Sequence, residues 1–217
     1  MSLLVAQALS CERGGLTLFD QLGFSVNAGE IVQIVGPNGS GKTTLLRLLA
    51  GLSSAYEGSL QRGDLSSFIY LGHKPGIKAM LSPLENLRWY VAASPAPQKT
   101  EADILHALAQ WQLQGYEHQP CYQLSAGQQQ RVALSRLLLS QATLWLLDEP
   151  FTAIDHAGVL QLESLLLKHA DRGGAVVLTS HHVFRRSDRL RFIALQQAAS
   201  ESLAGSSRVH AMHREAD

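Results

Sequence analysis

The chain contains a glycine-rich segment whose spacing is typical of phosphate-binding loops. Residues 36–43 read GPNGSGKT and fit the pattern G-x-x-x-x-G-K-[ST] between a predicted strand and a predicted helix. Glycine leaves backbone N–H groups free to converge on phosphate oxygens, and the following helix start adds positive partial charge. The segment therefore predicts a nucleotide phosphate site that consists of Gly36, Pro37, Asn38, Gly39, Ser40, Gly41, Lys42, Thr43 and Thr44.

Two side chains at the end of this loop carry specific chemistry. Lys42 can bring its ammonium group to the β- and γ-phosphates, and the hydroxyl of Thr43 can bind Mg²⁺. A chance match to this pattern is about a one-in-a-hundred event in a chain of this size. We therefore expect a nucleoside triphosphate and Mg²⁺ as ligands of the loop.

Two adjacent acids follow an apolar run further along the chain. Residues 144–147 read LWLL, and Asp148 and Glu149 come directly after them. Open α/β sheets place ligands at the carboxyl ends of their strands, so both carboxylates are predicted to face the phosphate loop. Asp148 is the candidate for binding Mg²⁺ through water, and Glu149 is the candidate general base for an attacking water. Without the phosphate loop, the pair would more simply be a solvated turn.

A third segment, residues 124–131, reads LSAGQQQR and predicts an open helix start. Ser125 and Gln128 have the spacing of a capping box, and the small Ala126 and Gly127 leave the first turn uncrowded. Such a helix end carries positive partial charge and can receive a phosphate group.

Strand and helix patterns alternate through the elements that must position these residues. The phosphate loop lies between a predicted strand at 30–35 and a predicted helix at 42–50. Runs of apolar and β-branched residues predict further strands at 68–71, 143–147 and 175–179. A helix is predicted at 156–170, and capping patterns predict helices that begin at Pro83, after Thr100 and after Ser125. This alternation predicts an α/β core with a mostly parallel sheet and a helical insert at about 76–135.

Composition limits the classes of function. Eighteen basic and eighteen acidic residues cancel, and no basic run suggests a nucleic-acid surface. No segment approaches the roughly 18 apolar residues of a spanning helix, and no secretory signal precedes the domain, so we expect a cytoplasmic chain without direct membrane insertion. Cys11 and Cys121 lack metal-ligand spacing and are expected to be free thiols. A disordered tail is expected over 197–217.

The segment at 124–131 resembles the LSGGQ signature of ATP-binding cassettes, with Ala126 in place of the first glycine of the pair. The resemblance spans residues 1–196 and implies a single cassette domain that binds ATP and Mg²⁺. It also implies an N-terminal antiparallel β subdomain and an inserted helical subdomain that carries the signature. In this family the signature closes over ATP held by a second subunit, which implies a head-to-tail pair, here a homodimer.

Further residues correspond to family positions. The segment 151–155 matches the D-loop, and His181 matches the histidine that senses the γ-phosphate. His73 occupies the position of the Q-loop glutamine, and Arg13 or one of its neighbours occupies that of the aromatic residue that stacks on adenine. Both are departures from the common pattern, and the charge of His73 can change near neutral pH.

Several longer segments are similar to one subfamily, the ATP-binding subunit of the haem exporter in bacterial cytochrome c maturation. They are IVQIVGPNGSGKTTLLRLLAGL, YLGHKPGIKAMLSPLENL, QLSAGQQQRVALSRL and LWLLDEPFTAID, and His73 and Ala126 are part of this similarity. The resemblance implies integral membrane partners, a peripheral position on the cytoplasmic face of the inner membrane, and haem export or release of a haem-loaded chaperone.

Two other classes remain for comparison. A non-transport cassette that acts in iron-sulfur assembly fits the length of the chain, whereas translation-type cassettes usually carry two cassettes with a charged linker. A simple phosphate-loop kinase would lack the signature and the Asp148–Glu149 pair. The histidines at 181, 182, 210 and 213 are interpreted as solvated side chains and not as haem ligands, because a haem ligand requires an apolar cavity.

Overall fold

A computed structural model describes residues 2–62, 68–94, 99–182, 184 and 190–195. Eight strands occur in the described residues: β1 Ser2–Arg13, β2 Leu16–Asn27, β3 Ile31–Val35, β4 Glu57–Arg62, β5 Phe68–Leu71, β6 Leu144–Asp148, β7 Ala175–Thr179 and β8 Leu190–Ala194. Five α-helices accompany them: α1 Lys42–Leu49, α2 Pro83–Ala93, α3 Glu101–Gln110, α4 Ala126–Leu139 and α5 His156–Asp171. A short 3₁₀ turn, Cys121–Gln123, precedes α4. The expected tail at 197–217 lies outside the described residues.

The core is a five-stranded parallel sheet with the strand order β5-β6-β7-β3-β8. Every residue of β6 and β7 is buried, as expected for parallel strands covered on both faces. β3 leads into the phosphate loop and β6 into the two acids, and only β7 separates them in the sheet. The predicted α/β core is therefore confirmed, and the carboxyl ends of its central strands lie along one edge.

A three-stranded antiparallel sheet of order β2-β1-β4 forms the N-terminal subdomain, as predicted. β1 and β2 form a hairpin whose turn consists of Gly14 and Gly15, with φ angles of 61° and 76°. Positive φ at both central residues is typical of the tight turns that match strand twist. This hairpin places Arg13 at the last residue of β1.

The helical insert consists of α2, α3 and α4, which pack on one another around the fully buried Trp111. All three predicted starts are confirmed by capping boxes, at Ser82, Thr100 and Ser125. Helix α4 ends at Leu139, and its last turn contributes the buried side chains of Leu137 and Leu139 to the core.

Two further expectations concern cysteines and membrane spans. Cys11 and Cys121 are free and buried, and burial raises the pKa of both thiols. In the described part of the chain, no helix combines the length and the apolar character needed to cross a membrane.

Candidate nucleotide site

The phosphate loop is a tight turn between β3 and α1. A Cβ atom at Gly36 would lie 2.6 Å from the carbonyl oxygen of Leu195, and Gly41 has a φ of 92° immediately before α1. Both positions therefore require glycine. The Nζ atom of Lys42 donates to the carbonyl oxygens of Gly36 and Pro37, at 2.7 and 2.9 Å. These two hydrogen bonds hold the ammonium group of Lys42 beside the loop.

A cavity of about 520 Å³ lies next to this loop and brings most of the predicted site together. From the loop, it is lined by Asn38, Gly39, Gly41, Lys42, Thr43 and Thr44. The other predicted residues at the cavity are Arg13, His73, Asp148, Glu149 and His181. Thus five separate segments of the chain meet around one opening of nucleotide size. Gly36, Pro37 and Ser40 support the loop without lining the cavity, and Ser40 is buried.

Asp148 ends β6 and has an exposed fraction of only 3%. Its Oδ1 atom accepts hydrogen bonds from the hydroxyls of Thr43 and Thr179, at 3.1 and 2.7 Å. Its Oδ2 atom is buried and has no hydrogen-bond partner among the residues that the structure describes. Carboxylate and hydroxyl oxygens are the ligands that Mg²⁺ prefers, so this pair of side chains fits the ion.

Glu149 adopts a left-handed backbone conformation, with a φ of 51°. For a residue with a side chain this conformation costs about 1–2 kcal/mol. The N–H of Glu149 compensates by donating to both the carbonyl oxygen and the hydroxyl of Thr179, at 3.1 and 2.9 Å. The bend directs the carboxylate into the cavity, where Oε1 lies 3.8 Å from Nε2 of His181.

The two adjacent histidines after β7 have different environments. His181 lines the cavity, and its side chain is 73% exposed. His182 points into the protein, where its Nε2 atom lies 2.6 Å from Oε1 of Glu163 on α5, and its ring contacts Phe151. Gln33 on β3 donates to the carbonyl oxygen of Ser180 at 2.7 Å. This loop is thus anchored on both sides of His181.

The predicted signature residues lie elsewhere on the chain. Ser125 Oγ accepts from the N–H of Gln128 at 3.2 Å, and the Gln128 side chain accepts from the N–H of Ser125 at 2.9 Å. None of Ser125, Ala126, Gly127 and Gln128 lines the cavity described above. Gly127 packs so tightly on the turn at 151–155 that a Cβ there would lie 2.6 Å from the carbonyl oxygen of Ala153.

The sequence profile of the ABC transporter family matches residues 19–152 of the chain. The chain belongs to this family. It is 52% identical over 203 residues to the cytochrome c biogenesis ATP-binding export protein CcmA of Hahella chejuensis, with 89% of this chain and 95% of that protein covered. It is 50% identical over 190 residues to the CcmA protein of Saccharophagus degradans, with coverage of 81% and 85%.

Solved structures agree on the fold of this ABC protein. A dimeric, post-hydrolysis ATP-binding cassette bound to ADP and Pi has a TM-score of 0.73 and 24% identity to it, with 82% of this chain and 88% of that chain covered. The chain is thus an ABC-type ATPase.

Several residues in or beside the cavity were not predicted from the sequence. Thr179 and Thr152 line the cavity, and Thr179 contacts both acids. Tyr70 on β5 is close enough to Asp148 for charge to matter: burial raises its pKa, and the Asp148 carboxylate adds to this effect. A polar residue at the end of a predicted buried strand was the available signal for Thr179.

Proposed function

We propose that this ABC ATPase is the ATP-hydrolysing subunit of an exporter in cytochrome c biogenesis and that it works as a dimer with membrane subunits. The observation that carries the proposal is the identity of 52% over almost the whole chain to a cytochrome c biogenesis export protein. The cavity geometry supports the ATPase part independently, because Lys42, the Thr43–Asp148 pair and Glu149 line one cavity beside the phosphate loop.

The proposed roles follow from the geometry. Lys42 stabilises charge on the β- and γ-phosphates, and the loop N–H groups orient them. Glu149, whose carboxylate lies at the cavity, accepts the proton of the attacking water as that water bonds to the γ-phosphorus and the bond to ADP breaks. His181, 3.8 Å from Glu149, contacts the γ-phosphate and helps to hold the water in line.

Thr43 and Asp148 are the residues proposed to hold Mg²⁺, Thr43 directly and Asp148 through water. When bound, the ion supplies positive charge that neutralises the β- and γ-phosphate oxygens. The buried Oδ2 atom of Asp148, which accepts no hydrogen bond from the described residues, supports this assignment. His73 is proposed to take the place of the Q-loop glutamine, and Arg13 to stack on adenine through its planar guanidinium.

The signature helix supports the dimer. Its capped start, Ser125–Gln128, has the geometry to receive phosphate but lies outside the cavity of its own chain. We assign it to the γ-phosphate bound by a second copy, so that a two-fold pair forms two composite sites. The dimeric state of the structurally similar cassette described above is consistent with this arrangement.

The finer proposal is that this dimer docks on integral membrane subunits at the cytoplasmic face of the inner membrane. There, closure on ATP and reopening after hydrolysis would export haem or release a haem-loaded chaperone. The similarity to named export proteins at 50–52% identity favours this over an iron-sulfur assembly role.

The test uses a variant that closes on ATP without turnover. Tagged Glu149→Gln protein is purified with ATP from detergent-solubilised membranes of its host, and co-purifying chains are identified by mass spectrometry. Integral membrane proteins and a haem chaperone are expected. The matched control is the same variant with Ser125→Arg added, which is expected to bind ATP without forming the closed dimer. Chains that co-purify with Glu149→Gln but not with this control are specific partners, and chains that co-purify with both are background. Recovery of soluble partners alone would contradict the exporter role and leave the ATPase intact.

A further inference from the structure

Thr179 is the last residue of β7 and lies directly opposite Asp148 in the parallel pairing of β6 with β7. Residues paired in this way direct their side chains to the same face of the sheet. The rest of β7 is apolar, AVVL, and Thr179 itself is only 1% exposed. An isosteric valine would suit such a position, because a buried hydroxyl costs free energy unless it forms hydrogen bonds.

The hydroxyl of Thr179 contacts both acids of the site at once. It donates to Oδ1 of Asp148 at 2.7 Å and accepts from the N–H of Glu149 at 2.9 Å. The carbonyl oxygen of Thr179 accepts from the same N–H at 3.1 Å. A single side chain thereby fixes the rotation of the Asp148 carboxylate and the left-handed turn at Glu149.

As a consequence, the two carboxylate oxygens of Asp148 have different hydrogen-bonding environments. Oδ1 accepts from Thr179 and Thr43, whereas Oδ2 is left without a partner among the described residues. Thr43 is itself a proposed Mg²⁺ ligand, so Thr179 is the donor that holds the carboxylate from the protein side. Outer partners that orient a ligating group in this way typically change metal affinity or activity about 10–100-fold when they are removed.

We infer that the Thr179 hydroxyl is a positioning group for Mg·ATP hydrolysis, which orients Asp148 toward the metal and fixes Glu149 toward the attacking water. This inference rests on the proposed roles of Asp148 and Glu149. Thr179 itself contacts neither substrate nor metal in this role, so its removal acts through the two acids.

The test measures how strongly Mg²⁺ strengthens nucleotide binding. The affinity of the purified full chain for a fluorescent, non-hydrolysable ATP analogue is determined with saturating Mg²⁺ and with EDTA, and the ratio of the two affinities is compared. Thr179→Val, which replaces the hydroxyl with a methyl group of similar size, is expected to lower this ratio about tenfold or more, with the EDTA affinity unchanged. Thr179→Ser, which keeps a hydroxyl, is expected to restore most of the ratio.

Other outcomes discriminate between the explanations. An unchanged ratio in Thr179→Val would overturn the inference, and so would an equal loss of affinity with and without Mg²⁺ together with a lower melting temperature, because that pattern indicates a merely structural residue. Asp148→Asn serves as the reference. If it leaves the ratio unchanged, the proposed Mg²⁺ role of Asp148 is wrong; if it lowers the ratio while Thr179→Val does not, only the inference about Thr179 fails.

Discussion

The two phosphate-binding regions of this chain differ in how much of a site the chain itself supplies. At the sheet edge, the phosphate loop, Asp148, Glu149 and His181 surround one cavity, and hydrogen bonds from Thr43 and Thr179 hold Asp148 in place. At the start of α4, Ser125–Gln128 form an exposed helix end with a complete capping box, and none of these four residues lines that cavity. One region is preorganised around its own cavity, and the other is proposed to receive a ligand that is bound by a second copy.

Direct contacts within one chain connect the start of α4 to the turn that follows Glu149. Gln130 on α4 donates to the carbonyl oxygen of Pro150 at 3.1 Å, and Gly127 packs on the turn that follows Glu149. Arg131 pairs with Asp155 at 2.7 Å, and the hydrogen bonds of Asp155 from the Gly158 N–H and from Arg131 lower its pKa. Within one chain, the start of α4 is thus joined by direct contacts to the turn that follows Glu149, the proposed general base.

The largest expected effect on kcat comes from removing the proposed proton acceptor at the sheet edge. Glu149→Gln keeps the size of the side chain but removes the proton acceptor, so kcat should fall about 10²–10⁴-fold. Nucleotide affinity should be unchanged, because Lys42 and the loop that bind the phosphates are intact. Steady-state phosphate release and equilibrium binding of labelled ATP are the measurements. Hydrolysis at the wild-type rate would remove Glu149 as the general base.

A smaller but still severe effect is expected from breaking the signature end. Ser125→Arg places a long charged side chain at the helix start, where ATP of the second copy is proposed to bind. ATP should still bind the phosphate loop, whereas ATP-dependent dimerisation should be lost and kcat should fall about 10²-fold or more. Light scattering coupled to size exclusion, in the Glu149→Gln background, measures the dimer. A dimer that persists in the double variant would contradict the composite-site proposal.

The sequence predicted the individual residues of the sheet-edge region but not the contacts between them. Motif spacing identified Lys42, Thr43, Asp148 and Glu149, and capping patterns located three helix starts, because these signals are local in sequence. The contact of Thr179 with Asp148 depends on β7 lying beside β6, an arrangement set by packing across 31 residues. Strand order and the left-handed turn at Glu149 have no local signal of that kind.

The same limit applies to the pair His181–His182. From the sequence, His181 was predicted to sense the γ-phosphate. Both His181 and His182 were otherwise interpreted as solvated side chains. The structure separates them, because Glu163 on α5 and Phe151 form a buried environment for His182. A helix that approaches from elsewhere in the chain decides that His182 is the less exposed of the two histidines, and the periodicity of that helix does not record which residues it will contact.

The smallest effect tests whether the signature end is more than a helix cap. Ser125 and Thr100 are both exposed residues with complete capping boxes in the same helical insert. Ser125→Ala and Thr100→Ala should each lower the free energy of unfolding by about 1 kcal/mol, measured by denaturant titration. Only Ser125→Ala should also lower kcat, by about tenfold, because a hydrogen bond to a charged phosphate contributes about 1.5–3 kcal/mol. Equal kcat values in the two variants would reduce Ser125 to a structural cap, and the γ-phosphate of the partner would then have to be bound by the N–H groups of α4 alone.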